Sequence, residues 1–206
     1  MVENVYSKKY LYTESVRRCV KVETLRARQA KAAGLSPSGL QRAALRGDYE
    51  RIARGIYRHA EAKPASSEWI EAAMRRPDAT ICLTSALAHH DLTDEIPETL
   101  DAAIPRGSRI PATQAAITWH LFDRETFGLG REEIDIPGSE LRIGIYSPER
   151  CIADAFRLRG GVGYELGRDA LKEWLRRGGK PTAIAAMAAQ LPRARTPILT
   201  ALEMLT

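Results

Sequence analysis

Residues 35–58, LSPSGLQRAALRGDYERIARGIYR, constrain the fold of this chain more than any other stretch. Ser36-Pro37 reads as a helix start: a hydroxyl for the first free N–H groups, then a proline where its missing donor costs nothing. Leu40, Ala44 and Leu45 supply a buried stripe at helical spacing, which leaves Ser38, Gln41, Arg42 and Arg46 for the opposite face. Gly47 stops the helix. Tyr49-Glu50-Arg51-Ile52-Ala53 and Ile56-Tyr57-Arg58 then read as two short strands around a turn at Arg54-Gly55. A helix sized for the major groove beside a basic hairpin is the plan of a winged helix-turn-helix, so the first expectation is a DNA-binding module.

The flanks fit that plan. Thr13 to Ala33 is patterned as helix, with Val16, Val20 and Val22 and then Leu25, Ala30 and Ala33 as apolar contacts, and with a break near Lys21 to Thr24. Gly34 ends the second of these helices, and the short turn to Ser36 is of helix-turn-helix type. Residues 1–12 form a polar arm with Lys8 and Lys9 available to a phosphate backbone. Charge follows the same division. Residues 1–63 hold 14 Lys/Arg against 6 Asp/Glu, a balance of +8; the remainder hold 17 against 20, a balance of −3. A basic head on a slightly acidic body points to a polyanion for the head and another task for the body.

The polar linker HAEAKPASS (59–67) divides the chain into a DNA-binding domain with its arm, 1–63, and a second domain, 64–206. In the second, Ser67 opens an amphipathic helix to about Arg76, Ile81-Cys82-Leu83 is a short apolar run, and Thr84 caps a helix over SALAHHDL. Residues 99–105, 116–122, 132–137 and 140–146 alternate or are β-branched, as strands are, with a hairpin turn at Pro137-Gly138-Ser139. Helices follow from Ser147 to about Leu158, Tyr164 to Arg177, Pro181 to Leu191 and Ile198 to Leu205, the first two joined by a glycine-rich loop at 159–163. The expected class is therefore α+β: an N-terminal winged helix-turn-helix, then a mixed domain with a small, mainly antiparallel sheet and a helical C-terminal part.

Several chemistries are disfavoured. No apolar run approaches the roughly eighteen residues of a membrane span. Cys19, Cys82 and Cys151 stand apart without a CxxC, which suits reduced thiols in a cytoplasmic protein. His89 and His90 are adjacent on a helix and diverge by about 100°, so a metal site with Cys82, His120 or Cys151 lacks ligand spacing. Arg159 to Gly163 lacks the Gly-Lys-Ser/Thr ending of a phosphate loop. Asp94, Glu95 and Asp101, or Glu133 and Asp135, lack the following lysine of a nuclease centre. Glu149, Arg150 and Asp154 are accounted for by i,i+4 pairing. Trp69, Trp119 and Trp174 lie on apolar faces and read as core. No cofactor is implied.

Three segments, in order, carry a family resemblance: RGDYERIARGIYR (46–58), LTSALAHHDLTDEIPETLDAAIPRG (83–107) and IYSPERCIADAFRLR (145–159). Together they resemble the AbiE-type (AbiEi) antitoxins of type IV toxin–antitoxin systems, which are transcriptional regulators. The likeness extends from about Val22 to the end and departs from the family pattern at Asp91, where a glycine is common. The resemblance implies that the head binds repeats in its own promoter as a repressor. It also implies that the body counteracts a cognate nucleotidyltransferase-like toxin, by direct contact or functionally, and that neither role is enzymatic.

On the Ser36–Arg46 helix, Gln41 and Arg42 are the expected base readers, since glutamine suits adenine and arginine suits guanine. Ser36 and Ser38 at the helix start suit a phosphate. Arg46, Arg51 and Arg58 are expected on the DNA backbone, Arg54 in the minor groove or on a phosphate, and Arg26, Arg28 and Lys31 on further phosphates. Two other readings compete: a one-component regulator whose body senses a ligand in a deep pocket, and a DNA-processing enzyme targeted by the head. The sequence leaves the oligomeric state open.

Overall fold

The structure, a computed structural model, describes residues 23–205. The arm at 1–12 with Lys8 and Lys9, the helical stretch from Thr13 with Val16, Val20 and Val22, and Cys19 lie outside the described residues. The fold is mixed α+β, with a three-stranded and a five-stranded sheet.

Among the described residues the first element is a strand, β1 (Thr24–Arg26), where helical patterning is predicted. It pairs antiparallel with β3 (Ile56–His59), Leu25 lying opposite Tyr57. The two-residue alternation explains the difference. Leu25 faces one side with Tyr57, while Thr24 and Arg26 face the other, and the Thr24 N–H donates to the Glu140 carboxylate at 2.6 Å. A 3-10 helix (Ala27–Ala33) follows and ends at Gly34, whose φ of 71° is the left-handed turn read from the sequence.

Helix α1 (Pro37–Leu45) starts as predicted: the Ser36 hydroxyl accepts the Gly39 N–H at 2.9 Å and Pro37 occupies the first turn. Its buried side chains are Leu40 and Ala43, with Ala44 packed beside them, whereas Leu45 is 88% exposed. Leu45 lies about 140° around the helix from Leu40, so it cannot share that stripe. Strand β2 (Tyr49–Ala53) and β3 form the expected hairpin around Arg54-Gly55, with a bulge between Arg51 and Ala53. Leu25, Ala30, Leu40, Ala43, Tyr49 and Tyr57 make a small core.

The opposite side of the hairpin is also covered. Ala53 and Ile56 belong to the large core of the rest of the chain, with Ile52 packed against it. Strand β3 is therefore buried on both faces.

That larger part contains α2 (Ser67–Arg75), β4 (Thr80–Ile81), α3 (Leu83–His89), β5 (Leu100–Pro105), β6 (Ile117–Phe122), β7 (Arg131–Asp135) and β8 (Arg142–Tyr146). The helical layer is α4 (Pro148–Arg157), a single turn α5 (Arg159–Val162), α6 (Tyr164–Arg176), α7 (Pro181–Ala189) and α8 (Arg195–Leu205). The strand order is β6-β5-β4-β8-β7. It is not mainly antiparallel: β5/β6 and β4/β8 run parallel, β4/β5 and β7/β8 antiparallel. The long connection from Pro105 to Ile117 returns the chain to the start of β5 instead of turning it back as a hairpin. The turn at 137–139 does make the predicted β7/β8 hairpin.

Helix α3 starts at Leu83 with Cys82 in the cap position, two residues before the predicted cap Thr84, because β4 turns straight into it with Leu83 at φ 46°. Asp91, just past the end of α3, takes φ 54°. The departure from glycine at this position therefore falls on a residue in the left-handed conformation that glycine tolerates best. The 159–163 stretch forms the turn α5, and the last helix begins at Arg195, earlier than predicted.

Charge inside the body is tightly arranged. The Arg150–Asp154 pair is fully buried, with Nε donating to Asp154 at 2.9 Å. Arg157 donates to the other carboxylate oxygen at 2.5 Å. Arg150 also donates to the carbonyls of Thr126 and Leu129 and lies 4.4 Å from the Tyr146 ring centroid. Glu71, fully buried on α2, pairs with Arg75 at 2.9 Å and accepts the N–H groups of Gln114 and Ala115, fixing the loop before β6. Cys82 and Cys151 are buried core residues whose thiols are pushed well up by burial. Among the described residues no helix is long and apolar enough to cross a membrane.

Asp154→Ala leaves Arg150 buried without its carboxylate and is expected to lose about 3–5 kcal/mol of stability in urea unfolding. Asp91→Gly is expected to gain about 1 kcal/mol by relieving the left-handed conformation, and Asp91→Val to lose stability, in the same assay.

Candidate nucleic-acid interface

The surface to be tested is the outer face of α1 with the hairpin tip. Helix α1 is held from beneath by Leu40 and Ala43, so its rotation is set by the small core. That rotation leaves Ser38, Gln41, Arg42 and Arg46 exposed. Ser36 is different. Its Oγ already caps Gly39 and lies 3.2 Å from the Ser38 Oγ, so it shapes the helix start first. Arg42 reaches back to the Ser38 carbonyl at 3.4 Å, and Arg46 pairs with Asp48 at 2.8 Å in the open. An exposed pair of this kind is worth little and exchanges readily for another anion.

On the hairpin, Arg51 and Arg54 are exposed and form no ion pair among the described residues. Arg51 lies opposite Tyr57 in the register, on the sheet face that packs against α1. Arg54 stands at the tip, where Gly55 takes φ 77°. Arg28 and Lys31 are exposed on the 3-10 helix, and Arg26 is half-buried. Burial, and then the like charges of Arg28 and Arg75, hold the Arg26 guanidinium below its ordinary pKa. An incoming phosphate offsets that repulsion.

Arg58 does not belong with this set. It is only 4% exposed, and its Nη2 donates to the carbonyls of Lys63 and Gly138, each at 2.5 Å. Strand alternation turns it away from Tyr57 and toward the body, so a phosphate-contact role is withdrawn. Gly138 makes that approach possible: a Cβ there would lie 2.0 Å from the Pro64 carbonyl oxygen.

The structure adds Leu45. It is the most exposed large apolar residue on α1 and stands one turn beyond Gln41. Assigning Ala43 to the inner stripe in its place would have revealed it from the sequence. In a groove, an apolar side chain at such a position suits a thymine methyl group.

His89 and His90 diverge as expected: His89 is exposed and His90 Nε2 lies 2.8 Å from the Tyr146 carbonyl oxygen. His120 is held by Asp101 at 2.8 Å.

Residues 21–59 match the family described as "Transcriptional regulator, AbiEi antitoxin". That segment takes in the 3-10 helix, α1 and the whole hairpin. No curated protein matches the chain. Among solved structures, the chain is similar to the RV2827C protein from Mycobacterium tuberculosis, with a TM-score of 0.52 at 13% identity, covering 98% of this chain and 97% of that one. This likeness is one of fold.

Arg58→Ala strips the Lys63 and Gly138 carbonyls of their donor at the junction and is expected to lose about 1–3 kcal/mol of stability in thermal unfolding. Leu45→Ala is expected to stay within about 0.5 kcal/mol of the parent protein, because its side chain makes no core contact.

Proposed function

We propose that this chain, whose residues 21–59 match the AbiEi-type regulators, is a DNA-binding antitoxin that represses its own operon. In this reading residues 1–63 are a winged helix-turn-helix domain and residues 64–206 carry the antitoxin function against a nucleotidyltransferase-like toxin. The observation that carries the reading is the exposed face of α1 beside two arginines, Arg51 and Arg54, without ion-pair partners among the described residues. A helix anchored from beneath and polar outside is ready to enter a major groove without rearrangement.

Roles divide by reach. Gln41 and Arg42 at mid-helix read base edges, where a good bidentate contact discriminates by about 1–3 kcal/mol. Ser38, Arg46 and Arg51 position the duplex through phosphates. Arg54 holds the adjacent phosphate or enters the minor groove. Arg26, Arg28 and Lys31 extend the positive surface. The protein acts by binding, and no catalytic group is assigned.

A mobility-shift series on the promoter fragment in rising salt tests the DNA half. Arg42→Ala is expected to relax preference at one base position. Arg54→Ala is expected to weaken all sequences alike and to flatten the salt slope by about 0.9 if one phosphate contact is lost. Failure of the parent protein to shift its promoter, or unchanged binding by both variants, overturns the assignment. For the antitoxin half, the full chain carrying both Arg42→Ala and Arg54→Ala, co-expressed with the product of the neighbouring toxin gene, is expected to rescue growth as well as the parent does. No rescue by the parent chain overturns that half.

A further inference from the structure

We propose that the body binds an oligophosphate group, of the kind carried by a nucleoside triphosphate or by free tripolyphosphate. The site is a cleft between the ends of β5 and β6 and the helical layer. Two adjoining chambers, about 770 and 270 Å³, share Arg157, Leu158 and Arg193 in their walls. Arg106 and His120 line the smaller chamber and Thr196 the larger.

Charge is the first argument. Three arginines, Arg106, Arg157 and Arg193, line this space, and Asp123 is the one carboxylate among the lining residues. Neither Arg106 nor Arg193 forms an ion pair among the described residues. The Asp154 carboxylate behind the wall is shared by two arginines, Arg150 and Arg157, so it leaves the region cationic. Guanidinium groups bind phosphate oxygens in pairs of parallel hydrogen bonds, and several together select a chain of phosphates over a single carboxylate.

Preorganisation is the second. The Arg157 side chain is only 9% exposed. Its Nε is tied to Asp154 and its guanidinium lies 5.0 Å from the Phe122 ring centroid, which fixes its direction. That Nε bond is the hydrogen bond it makes among the described residues, so its terminal nitrogens carry no other hydrogen bond there. Asp101 fixes the His120 ring in the same wall. Arg193 is held at φ 65°, a left-handed conformation that an ordinary L-residue adopts less readily than glycine. The fold places a cation where glycine would be easier. Position agrees: Arg106 and Asp123 directly follow the parallel neighbours β5 and β6, so both lie at the same end of the sheet.

Calorimetric titration of the full chain with tripolyphosphate, and separately with ATP, at about 0.15 M salt tests the site, that ionic strength screening loose surface binding. Saturable binding of either probe is expected. Arg106→Ala with Arg193→Gly is expected to weaken it at least about tenfold, as for one lost charge-assisted contact. The glycine relieves the left-handed conformation, so the variant is expected to unfold no earlier than the parent. Equal affinity for both probes assigns the site to the phosphate chain alone; tighter ATP assigns the nucleoside a contact as well. No saturable binding, or undiminished binding by the variant, overturns the proposal. So does loss of promoter binding by the variant without oligophosphate binding by the parent, which makes the cleft a second DNA contact. Promoter binding unchanged in the variant separates this site from α1.

Discussion

The Asp154 carboxylate, enclosed between Arg150 and Arg157, is the interaction on which the rest of the body depends. Removing two guanidinium groups and a carboxylate from water is unfavourable unless each finds partners. Here the chain itself supplies them. Helix α4 sets Arg150 and Arg157 a turn to either side of the aspartate, and Arg150 reaches across to two carbonyls of the segment between β6 and β7. One charged cluster thus joins the helical layer to the sheet. It also presents the outer arginine, Arg157, to the cleft in a fixed direction.

Strand β3 performs a corresponding task for the head. Tyr57 packs under α1, while Ile56 and Arg58 face the body. Helix α1 and the C-terminal half are therefore supported by opposite sides of one short strand. Thr24, bonded to Glu140, reinforces that junction from β1. Most of the hairpin is structural, and its free chemistry lies at the tip and on the outer edge, with Arg54 and Arg51.

The polar surface of the head and the cationic cleft of the body differ in kind. The head presents flexible, exposed side chains suited to a long polyanion whose contacts are individually weak. The cleft presents a half-enclosed set, one member of it rigidly held, suited to a compact anion. The two proposed sites, for an operator and for a small charged ligand, therefore use separate surfaces.

Local patterns determined much of this protein. Ser36-Pro37, Gly34, the Arg54-Gly55 turn, six of the strands and the cap at Ser147 were legible because each rests on short-range chemistry: a capping hydroxyl, a left-handed glycine, alternation of apolar residues. The i,i+4 spacing likewise announced the Arg150–Asp154 pair. Tertiary structure decided the rest. It made residues 24–26 a strand, because their partner, β3, is thirty residues away. It ran β5 and β6 parallel, drew Arg58 into the junction, buried Glu71 under a distant loop and brought Arg106, Arg157 and Arg193 to one cleft. Each of these depends on what another part of the chain places opposite a residue, and no local pattern of a single sequence carries that information.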